Sequence, residues 1–289
     1  MPGVAEILVR EAVTADLPQI AAVALATGQD EEWGGADPAY MTHLLAHGSV
    51  VVGVSGGSVI GFGATRLLGS GPDAVSMLCD LFVHPASHGT GCGRAMLAAL
   101  WPDAGGRRIT FSSLHANALP LYASFGLDAW WPLLYLHGRV DALAAPAGWQ
   151  ASAISATEVA AAELSWTGVD RSADHAAWAR RPGGAGVLAR RDGEVLAAGT
   201  VGGADDEFGV THLAIAPAAD DGGAAAAVLA VLASLRPQDR LARACLPAPH
   251  PAVRPLLAAG WRVAEFDLFM ATEPSLLDPR RAVPSPALA

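Results

Sequence analysis

No lysine occurs in this 289-residue chain: its 18 basic residues are all arginine, set against 28 acids for a formal net charge of −10. A broad phosphate-binding face is therefore missing, and a nucleic-acid partner is not expected. A Walker loop, which needs Gly-Lys-Ser/Thr, is excluded outright. Long apolar runs are missing too. The longest, 224–235, has about half of the ~20 residues that span a bilayer, and Asp221 and Arg236 flank it, so no membrane partner is expected. The first turns carry Glu6, Arg10 and Glu11 with no apolar segment, which argues against a secretory signal and makes the cytoplasm the expected location. Cysteine is scarce. Cys79, Cys92 and Cys245 have neither disulfide nor metal-ligand spacing, so free thiols and no metal are expected.

What the chain has in quantity is core. Hydrophobic residues make up 52% and charged residues 16%, which fits a packed globular protein long enough for two domains. The first half reads as β-α-α-β-β-β-α-β-α-β, an α/β fold on a mixed sheet. A strand covers 5–10, and Thr14 is placed to cap the helix that follows. A short helix covers 38–46, and two β-rich runs flank the Gly56-Gly57 turn. A strand at 74–83, a helix from about Gly91 to Trp101, and a strand, short helix and strand complete the unit. After the Ala/Pro/Gly-rich linker 141–150 the order begins again. At a spacing of 132 residues Pro217 repeats Pro85, Gly223 repeats Gly91 and Leu229 repeats Leu97. Further on, Leu256 repeats Tyr122 and Gly260 repeats Gly126. The chain is a tandem duplication, divided as 1–142, 148–275 and a tail, 276–289, whose prolines predict a frayed end.

The stretch 83–97, VHPASHGTGCGRAML, takes an apolar strand through alternate glycines into a helix. Free backbone N–H groups and the positive helix end converge at such a turn, and the glycines let an anion approach; a tight turn with no ligand is the alternative. The dinucleotide fingerprint G-x-G-x-x-G fails, because Arg94 or Met96 falls at its last glycine.

Val83-His84-Pro85, then His88-Gly89-Thr90-Gly91-Cys92-Gly93, then Asn117 and Leu121-Tyr122-Ala123-Ser124-Phe125-Gly126, resemble the signature of the GCN5-related N-acetyltransferase (GNAT) superfamily. The pattern is similar to bacterial two-domain members whose second half is divergent. The resemblance implies two tandem GNAT-like domains and acetyl transfer from acetyl-CoA, the acyl donor, to the amine of a small-molecule acceptor. It implies pyrophosphate binding by His88, Gly89, Thr90, Gly91, Cys92, Gly93 and Arg94, and pantetheine binding by the backbone of Leu81, Phe82 and Val83 and by Asn117. Tyr122 would protonate the departing thiolate. His88 departs from the family's usual Arg or Gln, and Leu127 from its common Phe. A non-catalytic acyl-CoA sensor or assembly module is the alternative.

An amine nucleophile arrives protonated and needs a base. Asp80 is the candidate, in a strand where alternation puts Leu78, Asp80 and Phe82 on one face; anchoring a loop or a water is its other role. His115 reads as structural. Glu31, Glu32 and Trp33 could attract a cationic acceptor or form a solvated turn. In the second half Asp220 and Asp221 stand at the anion loop and would repel phosphate, and Leu256 has no proton to give. That half is read as non-catalytic, covering a sheet edge, walling the acceptor cleft or making a homodimer.

Overall fold

A computed structural model describes residues 6–29, 34–103, 105–203, 208–235 and 241–288. The first half contains β1 (Leu8–Glu11), α1 (Leu17–Ala26), α2 (Pro38–His47), β2 (Ser49–Ser55), β3 (Ser58–Leu68), β4 (Val75–Val83), α3 (Cys92–Leu100), β5 (Arg108–Ser112), α4 (Ala118–Ala123) and β6 (Asp128–Arg139). The second half repeats it as β7 (Trp149–Ile154), α5 (Ala156–Thr167), α6 (Ser172–Ala179), β8 (Ala185–Arg191), β9 (Glu194–Gly202), β10 (Gly209–Ile215), α7 (Asp221–Ser234), β11 (Leu241–Pro247), α8 (Val253–Ala258) and β12 (Arg262–Ala271), followed by β13 (Ala282–Val283). Thr14 does not cap α1. It opens a 3-10 turn ended by Asp16, whose carboxylate accepts from Arg10 at 2.7 Å and from the Val13 N–H at 2.9 Å.

All the strands join one mixed sheet in the order β1-β2-β3-β4-β5-β12-β6-β11-β10-β9-β8-β7, with β13 against β10. The order is palindromic, and the last strands of the two halves are exchanged. β12 pairs antiparallel with β5 of the first half, placing Phe269 opposite Phe111. β6 pairs antiparallel with β11 of the second half, placing Tyr135 opposite Cys245. The two exchanged strands pair with each other down the middle, where Phe269 stacks on Trp131 at 4.3 Å. Each exchange covers an edge that β5 or β11 would otherwise leave as unpaired N–H and C=O groups.

Helices α1, α2, α5 and α6 cover one face, and α3, α4, α7 and α8 the other. The close approach of α3 requires glycine in β2, since a Cβ on Gly53 would lie 2.4 Å from the Cys92 sulfur. The halves also meet through α6. Trp178 packs with Tyr40 and Phe62 of the first half, and buried Asp174 accepts from His43 at 2.8 Å and from Arg66 and Arg171. Burial pushes the Asp174 pKa up, but the His43 bond and the two guanidinium groups outweigh it and hold the carboxyl well below its usual range. Within the second half, buried Glu163 contacts His175 at 2.6 Å and His212 at 2.9 Å. Each of the three side chains offers one ligand atom within 4.8 Å of the others, a grouping of the kind that can hold a metal ion.

β4 carries a bulge at Cys79, where Thr65 faces Leu78 but Ala64 faces Asp80. The extra residue shifts the alternation. Leu78 packs toward α3 and α4 with Leu97 and Tyr122, whereas Asp80 and Phe82 turn to the α1/α2 face. The expectation that Leu78, Asp80 and Phe82 share one face is thus overturned, because a strict period of two does not survive a bulge.

The tail is not frayed. Val283 is fully buried, Leu288 packs with Tyr40 and Phe62, and the Leu288 carbonyl accepts from Arg171 at 2.6 Å. Its prolines fit an extended path along other elements, which removes no ladder bond that the tail needs.

Candidate active site

β4 and β5 run parallel and pair from Ser76–Arg108 to Leu78–Thr110; beyond that point the pairing ends and the strands part. The His84 N–H donates to the Ile60 carbonyl at 2.8 Å, and by antiparallel alternation Phe82 gives its backbone to β3 as well. The backbone groups of Leu81 and Val83 consequently face the gap. Of the three strand residues expected to hold pantetheine, Phe82 turns its polar backbone toward β3, and its ring lies 5.5 Å from that of Phe62.

The gap leads to the glycine loop. Gly91 has φ +88° and ends the loop in the left-handed region that glycine adopts without strain. The first bond of α3 runs from the Ala95 N–H to the Gly91 carbonyl, so the N–H groups of Cys92, Gly93 and Arg94 have no helical acceptor. That N-terminus suits an anion. The Cys92 side chain is buried beneath the loop, and Arg94 lies over the Phe125 ring. Thr90 donates to the Ser87 carbonyl at 2.8 Å, and the His88 ring donates from Nε2 to the Val83 carbonyl at the same distance. His88 therefore closes the turn in this structure. Asn117 is exposed at the start of α4 and lines the same opening.

A cleft of about 1370 Å³ runs from this loop through the gap to the opposite face of the sheet. Tyr122, on α4, and Asp80 both line it. Burial, followed by the charges of Asp80 and Asp267, raises the pKa of Tyr122, so its hydroxyl stays protonated at neutral pH. That hydroxyl has no hydrogen-bond partner among the described residues. Asp80 accepts from the Tyr40 hydroxyl at 2.7 Å; burial raises its pKa to about 6, against the lowering effect of that bond. It is ionised at pH 7, yet it binds a proton far better than an exposed aspartate. The ring of His115 lies 5.7 Å from that of His88, at the rim. Glu31, Glu32 and Trp33 lie outside the described residues.

The corresponding gap of the second half is filled by the chain itself. Ile215, the repeat of Val83, donates its N–H to the Arg281 carbonyl at 3.0 Å, and β13 pairs with Leu213 and Ala214, the repeats of Leu81 and Phe82. At the loop the Asp220 carboxylate accepts from the Gly223 N–H at 2.7 Å, capping α7 where an anion would sit. Asp221 binds Arg280 with Nε–Oδ1 at 3.0 Å, and Arg281 donates to the Ala219 carbonyl. The two acids thus do more than repel phosphate: one occupies the anion position, and the other ties down the tail. Leu256, in the place of Tyr122, is fully buried. Sequence reasoning did not find Tyr40, Tyr135, Asp267 or the tail as parts of this arrangement. The charge swap, acids in the loop and two adjacent arginines in the tail, was the one available signal.

A mixed sheet with a parallel splay, a glycine loop opening a helix, and the same unit twice define an acyl-CoA acyltransferase fold of the tandem GNAT kind. Residues 46–126 match the family model described as Acetyltransferase (GNAT) domain, so the chain carries a GNAT domain. Among solved structures, the chain is similar to a tandem GNAT protein from the clavulanic acid biosynthesis pathway, at 17% identity and TM-score 0.63 over 93% of this chain and 100% of that one. It is also similar to a GCN5-related N-acetyltransferase from Anabaena variabilis, at 12% identity and TM-score 0.64 over 95% of this chain and 75% of the other. A GCN5-related N-acetyltransferase from Sphaerobacter thermophilus aligns at 16% identity and TM-score 0.55 over 97% and 99%. No curated protein matches the chain. No helix among the described residues is long and apolar enough to cross a membrane.

Proposed function

We propose that the chain is a cytoplasmic N-acetyltransferase that uses acetyl-CoA to acetylate the amine of a small molecule, with residues 1–142 catalytic and 148–275 a degenerate copy. The supporting observation is the unbroken cleft that joins the free helix N-terminus of α3, the backbone of Leu81 and Val83, Tyr122 and Asp80. These residues fit the donor. The N–H groups of Cys92, Gly93 and Arg94 take the pyrophosphate, the strand gap takes the pantetheine arm, and the thioester comes to lie by Tyr122.

The acceptor enters from the opposite face as an ammonium ion, with a pKa of about 10 in water. It loses one proton toward Asp80, directly or through water. Its nitrogen then bonds to the acetyl carbon while the carbon–sulfur bond breaks, and Tyr122 gives its proton to the leaving thiolate. The bonded nitrogen sheds its second proton, which restores the Tyr122 phenol, and Asp80 passes the first to solvent, so that ammonium ion and acetyl-CoA become amide, free coenzyme A and one proton. A measurement of thiol release over a panel of primary amines, beside calorimetric titration with acetyl-CoA, tests the proposal. Tyr122→Phe should bind acetyl-CoA as the parent does and turn over about 10²-fold more slowly. An unchanged rate would remove Tyr122 from the mechanism, whereas binding without turnover on any amine would favour the sensor.

A further inference from the structure

Past the strand gap, the cleft continues over the exchanged strands. Its floor there carries Asp267 of β12 and Tyr135 of β6, the tyrosine hydroxyl donating to Asp267 Oδ2. The other carboxylate oxygen of Asp267 has no partner among the described residues. Asp80, with Tyr40, stands on the neighbouring part of the wall; Glu265 lies two residues along β12 on the same face, and Arg243 and His137 lie farther toward β11.

The duplication provides an internal control. At the 134-residue spacing that matches Tyr122 with Leu256, Asp267 repeats Leu133 and Phe269 repeats Tyr135. Leu133 and Phe269 are fully buried and belong to an apolar cluster with Trp131. One member of each repeat pair is polar, and both polar members meet in the cleft of the half that keeps its tyrosine. The apolar members lie on the same face, Leu133 directly across from Asp267 and Phe269 two residues along β12, and close the end of the cleft against Trp131. Burying a carboxylate on the floor of an apolar sheet costs stability unless something compensates it, and in the protein Tyr135 satisfies only one of its oxygens. Burial and then the charge of Glu265, against the Tyr135 bond, leave the Asp267 pKa raised, and its charge is felt at the Tyr122 hydroxyl.

We infer that Asp267, carried into the first half's cleft by the exchanged strand, receives the ammonium group of the acceptor. The degenerate half thereby completes a site that it does not itself possess. The inference rests on the N-acetyltransferase reading and narrows its acceptor to a primary amine that enters charged. Tyr135 fixes one carboxylate oxygen, the other accepts from the amine, and Asp80, on the wall of the same cleft, takes the proton.

Two measurements on the full chain test this. Saturation-transfer NMR with a series of straight-chain primary alkylamines, run in the presence of coenzyme A, reads amine binding without turnover; steady-state thiol release with the best amine separates KM from kcat. Asp267→Asn should weaken amine binding and raise KM about tenfold or more, the worth of a charge-assisted hydrogen bond, with kcat changed far less. Tyr135→Phe should give a smaller effect in the same direction, and acetyl-CoA affinity should not move in either variant. Matched melting curves establish that each variant folds. An unchanged KM in Asp267→Asn, binding of neutral alcohols as tight as that of amines, or no amine binding by the parent would overturn the inference. Failure of the underlying reading looks different: the parent would neither bind acetyl-CoA nor release thiol.

Discussion

At the residue scale, Asp80 carries a cost that only a function would retain. Folding lifts its pKa from the ordinary ~3.9 of aspartate to about 6, so the folded protein holds this proton more tightly than the unfolded chain does. Below about pH 4 the carboxyl is neutral in both states and costs nothing; the penalty grows as pH rises to about 6 and stays near 3 kcal/mol above it. Asp80→Asn should therefore raise stability at pH 8 by up to about 3 kcal/mol and flatten its change between about pH 4 and 6. Urea unfolding at both pH values measures this. The same variant should lose most turnover and the acidic limb of the rate profile near pH 6. No gain in stability would mean that the carboxyl is better solvated than its burial implies. The sequence pointed to Asp80 because an acid stood in an apolar run. It could not reveal Tyr40 or Asp267, since a hydrogen bond between residues 40 positions apart, or a strand entering from the other half, leaves no local pattern.

At the scale of elements, two similar loops have opposite chemistry. In the first, the N–H groups at the start of α3 have no acceptor among the described residues; in the second, Asp220 caps α7 and Arg280 covers Asp221. Gly91→Glu should abolish acetyl-CoA binding, since it puts a side chain at φ +88° and a negative charge beside the phosphate position. The fair control is Gly222→Glu rather than a change at Gly223, whose Cβ would press on Asp220 and Ala219 at 3.2 and 3.3 Å. Gly222→Glu should leave the affinity intact in calorimetric titration; equal loss from both would mean that the second loop also binds cofactor. These loops were legible because glycine and proline mark backbone geometry directly. The bulge at Cys79 was not, since no glycine or break in hydrophobicity announces it, and it reversed the face assigned to Asp80 relative to Leu78.

At the scale of the whole molecule, the duplication was plain in the sequence and the exchange of β6 and β12 was not. Both strands carry the same pattern, so either could complete either half, and only the path of the connection decides. The central run β5-β12-β6-β11 and the Asp174 cluster bind the halves into one cooperative body. Scanning calorimetry should therefore give a single transition whose calorimetric and van't Hoff enthalpies agree. Two resolved transitions would show that the halves unfold independently. Residues 1–142 expressed without the rest would lose β12 from the β5 edge, and only their own β6 could take its place.

The same exchange has a consequence for assembly. Nothing in the pairing of β12 with β5 specifies that both strands come from one chain; the short connection 143–148 and the rest of the fold bring that about. At high concentration during refolding, two chains could each lend the other a final strand, making a domain-swapped dimer with every pairing intact. Each cleft of such a dimer would be composite, with Tyr122 from one chain and Asp267 from the other, so two impaired single variants, one altered at each position, could together regain an intact site.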